Sequence, residues 1–185
     1  YDFLLRGNYH FNDWNASEQD TGTAEALYTR AIELDPRLAA AYVGLGSVWV
    51  HRIDRGWVAS SDEAGDKAIR FARRAVELDE FEGNARLVLA TAYFFGRSNY
   101  DQARAQLGIA LELNPNDYQS YCFGGWMCMC FGDLQEGVRC TEEALRRNPL
   151  LPDNCLWTIG VTEYLVGQYD KAIEAFGRML SEDPE

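Results

Sequence analysis

The sequence predicts an all-α fold, a solenoid of about five helix-turn-helix units. Three observations indicate it: a repeated amphipathic helix, a near-constant spacing of helix ends, and a small residue at the same place in each unit. The clearest helix lies between Asn99 and Pro115. Asn99 can cap its start, with Gln102 three residues on, and Pro115 stops it. Its apolar residues recur at spacings of four and three, so one face must pack against a neighbour.

The same helix pattern returns along the whole chain. The helices close near positions 36, 80, 115, 149 and 184, at intervals of 44, 35, 34 and 35 residues. This pattern resembles the tetratricopeptide repeat, which has a period of about 34 residues. The resemblance implies one right-handed superhelical solenoid over residues 1–185, with repeats at about 1–36, 37–80, 81–115, 116–149 and 150–185.

Small residues mark the predicted crossing of the two helices in a unit. Tyr42, Leu45, Gly46 and Trp49 match the repeat pattern W-x-x-L-G-x-x-Y with the aromatic residues exchanged. The small residues at the crossings are Gly46, Ala90, Gly125 and Gly160. Five such pairs predict ten helices.

The first two units are longer than the others. We place five extra residues in the polar segment 12–22 and ten more at about 52–61. Both insertions are expected to be long loops, which a stack of repeats tolerates on one face. The second ends at Ser60, with Glu63 as a capping box, and contains Trp57. Trp57 either contacts a partner or plugs its own solenoid, and the cost of exposing tryptophan favours the plug.

The charge balance excludes several classes of partner. Seventeen basic and twenty-nine acidic residues give a formal charge of −12, which repels nucleic acid and anionic lipid. No apolar run is long enough for a membrane-spanning helix, so we expect no membrane insertion.

Five cysteines lie in the C-terminal half, and a disulfide framework, a metal site and a redox switch are the functional alternatives. Cys128 and Cys130 are two apart on a predicted helix and point in different directions, with no histidine nearby in sequence. We therefore expect small buried thiols in the reducing cytoplasm. The five are Cys122, Cys128, Cys130, Cys140 and Cys155.

Catalysis finds little support in the sequence. The two histidines, His10 and His51, lie in different units without acidic residues at metal-ligand spacing. Neither a phosphate-binding glycine loop nor a Gly-x-Ser-x-Gly turn is present. We expect no catalytic, cofactor-binding or metal-binding residue, and hence no enzyme within this chain.

A binding surface has better grounds, because the first helices of stacked hairpins line a concave wall. The register predicts a wall that is aromatic and nearly uncharged. It lacks the Lys and Arg needed to grip a peptide's terminal carboxylate, and suits an apolar peptide or helix instead. The alternative is that these aromatic residues pack on each other and leave no groove. The wall residues are His51, Phe94, Phe95, Trp126, Met129, Trp157 and Tyr164.

Three phrases resemble the C-terminal repeat region of bacterial class III adenylate/guanylate cyclases of the rhizobial type: YDFLLRGNYH (1–10), GWVASSDE (56–63) and DNCLW (153–157). The resemblance implies a cyclase domain before residue 1, with the repeats as a regulatory or docking module. Similar repeats follow winged-helix domains in bacterial transcription regulators, so a sensor region of such a regulator is an alternative. The first residue is not methionine, so we expect a longer parent protein.

The chain closes directly after the fifth predicted helix pair, without the polar-faced terminal helix typical of solenoids. We expect the protein to continue beyond this pair, or another chain to cover the open end. A homo-oligomer joined through that end is therefore a further alternative.

Overall fold

The computed structural model describes residues 1–11 and 15–182, and within them the fold is all-helical, without a strand. Ten α-helices form five hairpins, which confirms the predicted fold class. Helix α5 continues as a π-helical segment, Ala92–Gly96. The helices are α1 (Asp2–His10), α2 (Glu18–Leu34), α3 (Ala39–Asp54), α4 (Ser61–Leu78), α5 (Gly83–Thr91), α6 (Tyr100–Leu113), α7 (Tyr118–Cys130), α8 (Leu134–Arg147), α9 (Asp153–Leu165) and α10 (Tyr169–Glu182).

The chain divides into two compact units. Unit 1 is Tyr1–Leu113 and holds α1 to α6, and unit 2 is Asn114–Glu185 and holds α7 to α10. In each unit the two helices of a hairpin contact each other, and the second helix packs on the first helix of the next hairpin. Among the described residues, no helix is both long and apolar enough to cross a bilayer.

The helix starts follow the capping signals in the sequence. Asn99 accepts a hydrogen bond from the backbone N–H of Gln102 at 3.2 Å, which confirms the predicted start of α6. Ser60 Oγ accepts from the N–H of Glu63 at 3.3 Å, and Asp133 accepts from that of Glu136 at 3.4 Å. These side chains satisfy amide donors that have no partner within the helix.

The two insertions are divided between longer connections, as expected, and longer helices, which the expectation of loops alone did not include. Helix α2 begins at Glu18, which makes 18–22 helical, and residues 12–14 lie outside the described part of the chain. The α3–α4 connection is only 55–60, because α3 and α4 contain 16 and 18 residues where α7 and α8 contain 13 and 14. Extending a helix satisfies its backbone internally, whereas a ten-residue loop leaves those groups to water.

Tyr28 on α2 organises the first core of unit 1. A Cβ on either Gly7 or Gly44 would lie 2.6 Å from its ring, so the ring is held between two glycine-bearing helices. Its hydroxyl donates to Asn8 Oδ1 at 3.0 Å, and burial raises the pKa of Tyr28 to about 12. Only glycine permits this approach of α1 and α3 to the ring.

The predicted helix crossings are confirmed in unit 2. A Cβ on Gly125 would lie 2.7 Å from Thr141, and one on Gly160 would lie 2.5 Å from Phe176. Unit 1 has an equally close contact with backbone instead of a side chain, since a Cβ on Gly96 would lie 2.5 Å from the Cα of Gly65. There two backbones touch without a side chain between them.

The cysteines follow their expectation except at one position. Cys122, Cys128 and Cys155 are buried, Cys140 is half-buried, and all five thiols are free. Cys130 is exposed, which the prediction of buried thiols missed. Hydrogen bonding with Cys155, together with burial, raises the pKa of Cys122, which is the behaviour of a packing thiol and not of a nucleophile.

Candidate binding surface

The seven predicted wall residues are shared between the two units. His51, Phe94 and Phe95 belong to unit 1, and Trp126, Met129, Trp157 and Tyr164 belong to unit 2. Their environments differ sharply between the units. Those of unit 1 are considered first.

His51 is completely buried, so its prediction as a wall residue is wrong in this structure. Its Nε2–H donates to the Ala16 carbonyl oxygen at 3.1 Å. Phe11 and Trp57 lie edge-on against the imidazole, at ring-centroid distances of 5.3 and 5.4 Å. Residues of the α1–α2 and α3–α4 connections therefore cover His51, and Trp57 packs on its own unit, as the plug interpretation expects.

Trp49, a half-buried aromatic residue of α3, also contacts side chains of unit 1. The Lys67 ammonium lies 4.0 Å from its ring centroid and the Arg52 guanidinium 4.8 Å. Arg52 in turn pairs with Glu25 at 2.7 Å. These cation–π and ionic contacts tie α3 to α2 and α4.

The π-helical segment explains the positions of Phe94 and Phe95. Residues 92–96 form the π-helix, whose hydrogen bonds span five residues instead of four, and the Asn99 N–H closes its end on the Tyr93 carbonyl at 2.9 Å. The wider turn shifts the following side chains relative to the α-helical register on which the prediction relied. Phe94 is buried and packs edge-on against Phe95 and Tyr100, at 5.1 and 5.5 Å, and Phe95 is half-buried. In unit 1 the aromatic residues thus pack largely on each other.

Unit 2 presents aromatic rings at its surface. Trp157 is 38% exposed and Tyr164 is 59% exposed, and they lie seven residues apart on one side of α9. Trp126 on α7 lies against Trp157, with ring centroids 4.9 Å apart at an angle of 41°. Tyr169 on α10 lies against Tyr164 at 5.6 Å. We call Trp126, Trp157, Tyr164 and Tyr169 the aromatic face.

The sequence prediction did not include Tyr169, and its inclusion of Met129 stays a prediction. Tyr169 is 59% exposed and belongs to the face because the turn at Gly167, with φ of +81°, brings the start of α10 beside the end of α9. The turn signal Gly167-Gln168-Tyr169 was visible in the sequence, but which side Tyr169 would take was not. Met129 is half-buried on α7.

The surroundings of the aromatic face carry no positive charge on its two main helices. Helix α7 has no charged residue, and α9 has only Asp153 and Glu163. Residues 114–185 contain twelve acidic and five basic residues, and all five basic residues lie on α8 or α10. Each is already engaged: Arg139 with Glu136, Arg146 and Arg147 with Glu143, Lys171 with Glu142 and Glu163, and Arg178 with the Pro149 carbonyl.

Glu163 is a buried carboxylate beside this surface. It is 2% exposed, its Oε1 lies 3.7 Å from Lys171 Nζ, and its Oε2 has no hydrogen-bond partner among the described residues. Burial raises the pKa of Glu163, against the opposing effect of Lys171. Over residues 1–11 and 15–182, no cluster of three or more His, Cys, Asp or Glu is arranged to hold a metal ion.

Comparison with known proteins identifies the fold. No protein-family model matches the sequence. A tetratricopeptide-repeat protein from Thermus thermophilus superimposes with a TM-score of 0.79 at 16% identity, covering 100% of this chain and 91% of the other. YrrB, a tetratricopeptide-repeat protein with an unusual peptide-binding site, gives 0.55 at 22% identity, covering 99% and 86%. The chain therefore has the tetratricopeptide-repeat fold, as its period predicted.

Among curated proteins, the chain is 27% identical over 92 residues to Hsp70-Hsp90 organizing protein 3 of Arabidopsis thaliana. That match covers 50% of this chain and 16% of the relative. The chain spans less than a quarter of the length of the curated relatives it matches. The likeness is thus to a part of larger proteins.

Proposed function

We propose that this chain is a non-catalytic protein-interaction module that binds an apolar peptide or helix on the aromatic face of unit 2. The observation that carries the proposal is the exposure of Trp157 and Tyr164 on one side of α9. Two turns of helix separate them by about 10 Å, a distance that a single bound helix or extended segment spans. Two similar proteins support the proposal. YrrB is described as having a peptide-binding site, and the Arabidopsis relative is named as an organizing protein for Hsp70 and Hsp90.

The chemistry of the face fits this role. Tryptophan and tyrosine bury a large apolar area at a low cost in side-chain entropy, and they dominate the energetics of interfaces. A partner would cover rings that now contact mainly one another, and α7 and α9 offer no cation for a terminal carboxylate. An apolar partner is therefore favoured over an anionic one.

A double variant tests the site. Trp157→Ala with Tyr164→Ala should weaken binding of an amphipathic leucine–glutamine helical peptide at least about tenfold, because both anchors are lost. Tyr9→Ala is the matched control, since Tyr9 is 76% exposed on α1 in unit 1. Isothermal titration with all three proteins measures the effect. Equal affinities in all three proteins would refute the assignment of the face.

We further propose that the module belongs to a class III adenylate/guanylate cyclase, on the phrases at 1–10, 56–63 and 153–157. A winged-helix regulator is the alternative parent. The coding sequence upstream of Tyr1 decides between them, because a cyclase domain carries paired metal-binding aspartates and a winged helix carries a basic recognition helix. A winged helix there would refute the cyclase assignment.

Self-association through α10 is a second candidate function. It is favoured because α10 exposes apolar residues at repeat positions that are covered on α8. Ile173 and Leu180 are 71% and 80% exposed, although Val138 and Leu145, their counterparts one repeat earlier on α8, are buried and half-buried. Helix α8 packs on α9, and α10 offers the same positions uncovered. Light scattering at high concentration should show an oligomer that Ile173→Lys reduces to a monomer. A monomeric wild-type chain would refute this candidate.

A further inference from the structure

We propose that the segment bound by the aromatic face is basic: a lysine or arginine side chain of the partner lies on the ring of Trp157 or Tyr164. This inference rests on the proposed function and specifies the partner's chemistry. It follows from the cations that lie over other rings of the molecule, from the charges around the aromatic face, and from the partners that those charges exclude.

Elsewhere among the described residues, four half-buried rings already lie under a cation. Lys67 lies 4.0 Å from the centroid of Trp49, and in unit 2 Arg147 lies 4.1 Å from that of Tyr121. Phe3 and Phe71 have Arg6 and Arg70 over them, at 5.9 and 5.5 Å. The rings of the aromatic face instead lie against one another in pairs, and no lysine or arginine of the described residues lies over them. Their electron-rich surfaces are therefore open to a cation from outside.

Unit 2 cannot supply that cation itself. Its five basic side chains lie on α8 and α10, where carboxylates, a backbone carbonyl and Tyr121 already hold them. Meanwhile the acidic excess of residues 114–185 creates a negative potential around the rings. Asp170 adjoins Tyr169 at the start of α10 and is exposed. Such a field concentrates basic segments near the face and repels acidic ones.

The remaining occupants fit less well. An acidic peptide or a phosphorylated one would approach a net negative surface without a lysine or arginine on α7 or α9 to receive it. A purely apolar helix would bury the rings but would leave their negative faces without a charge partner. A basic amphipathic segment satisfies both properties, because its apolar side covers the rings and its lysine or arginine stems lie along them.

Three synthetic helical peptides of about 15 residues test the proposal. They share one leucine pattern and carry lysine, glutamine or glutamate at the polar positions. Affinities for the full chain are measured by titration calorimetry in about 0.15 M salt, where long-range attraction is screened. We expect the lysine peptide to bind about two- to thirtyfold more tightly than the glutamine peptide, and the glutamate peptide to bind most weakly.

The variant Trp157→Leu with Tyr164→Leu keeps apolar side chains and removes the π faces. In this variant the advantage of lysine over glutamine should fall towards the level set by general charge, while the glutamine peptide still binds. Tyr9→Leu in unit 1 is the control and should leave the advantage intact. An advantage equal in all three proteins, or absent from the wild type while the glutamine peptide binds, overturns the basic-segment inference alone. Failure of all three peptides to bind overturns the proposed function as well.

Discussion

The two units differ in how far their predicted wall residues are exposed. In unit 1 the aromatic residues of α3 pack against neighbouring segments: His51 lies under Phe11 and Trp57, and Trp49 has Lys67 and Arg52 over its ring. In unit 2 the corresponding helices leave Trp157 and Tyr164 exposed. The difference lies in the segments that cover the rings. Unit 1 has longer helices and connections that pack over its rings, whereas the two hairpins of unit 2 have connections of only three residues.

This contrast shows that an aromatic residue at a wall position does not by itself mark a binding surface. The register fixes the direction in which a side chain leaves its helix, but a neighbouring segment decides whether water or a partner can reach it. His51 and Trp157 had equal standing in the sequence pattern. The structure buries the first completely and leaves 38% of the second exposed.

The largest expected difference between two matched variants comes from the glycine contact of unit 1. Gly96→Ala should lower the free energy of unfolding by about 2–3 kcal/mol, because the new Cβ would lie 2.5 Å from the Cα of Gly65 and neither backbone can yield easily. Gly108→Ala, on α6 with open space around it, should instead stabilise by about 0.5–1 kcal/mol. Urea unfolding of both variants measures the pair. Equal effects would mean that α4 and the π-helical segment do not touch as described.

The next prediction compares the two wall residues directly. His51→Ala should cost about 2–4 kcal/mol, since it opens a cavity between Phe11 and Trp57 and leaves the Ala16 carbonyl without its donor. Trp157→Ala should cost less, about 1–2 kcal/mol, because its ring is partly in water already and loses mainly its contact with Trp126. Thermal unfolding followed by circular dichroism separates them. A cost for Trp157→Ala as large as that for His51→Ala would make the aromatic face part of the core.

The smallest effect is a pH dependence within unit 2. Burial raises the pKa of Glu163, so its contribution to stability is fully present below the unfolded value, about 4.3, and is lost as pH rises through the folded value. Glu163→Gln should therefore gain on the wild type as pH rises towards 7. The ammonium of Lys171 and the carboxylate of Glu142 lie in the same cluster and limit the gain.

Glu143 is the matched opposite. Hydrogen bonding from Arg147 lowers its pKa, so its contribution is present above the unfolded value and is lost as pH falls through the folded one. Glu143→Gln should therefore lose stability near pH 7 relative to the wild type and approach it in acid. The midpoints of urea unfolding compare the two variants between about pH 3 and pH 8, a range that brackets the pKa of a free carboxyl group. Parallel profiles would contradict the assigned burial of Glu163.

Much of the fold was predictable because its signals are local. Caps such as Asn99 and Asp133 act within one turn of helix, and the helix pattern with its spacing of 34 or 35 residues reports surfaces that neighbouring hairpins bury. The insertions were located correctly as extra residues between paired helices. That part of each insertion lengthens a helix was missed, because a count of residues does not say whether the added backbone forms hydrogen bonds within a helix or with water.

The candidate site divides along the same line. The sequence by itself determined the all-helical repeat, the glycine crossings at Gly125 and Gly160, and the side of α9 that carries Trp157 and Tyr164, since periodicity and size express these directly. Only the tertiary structure decided that His51 is covered, that the π-helical turn redirects Phe94, and that Tyr169 joins the aromatic face. Each of these three features depends on contacts between segments distant along the chain or on a change of helix geometry. A local sequence pattern predicts neither the contacts nor the change.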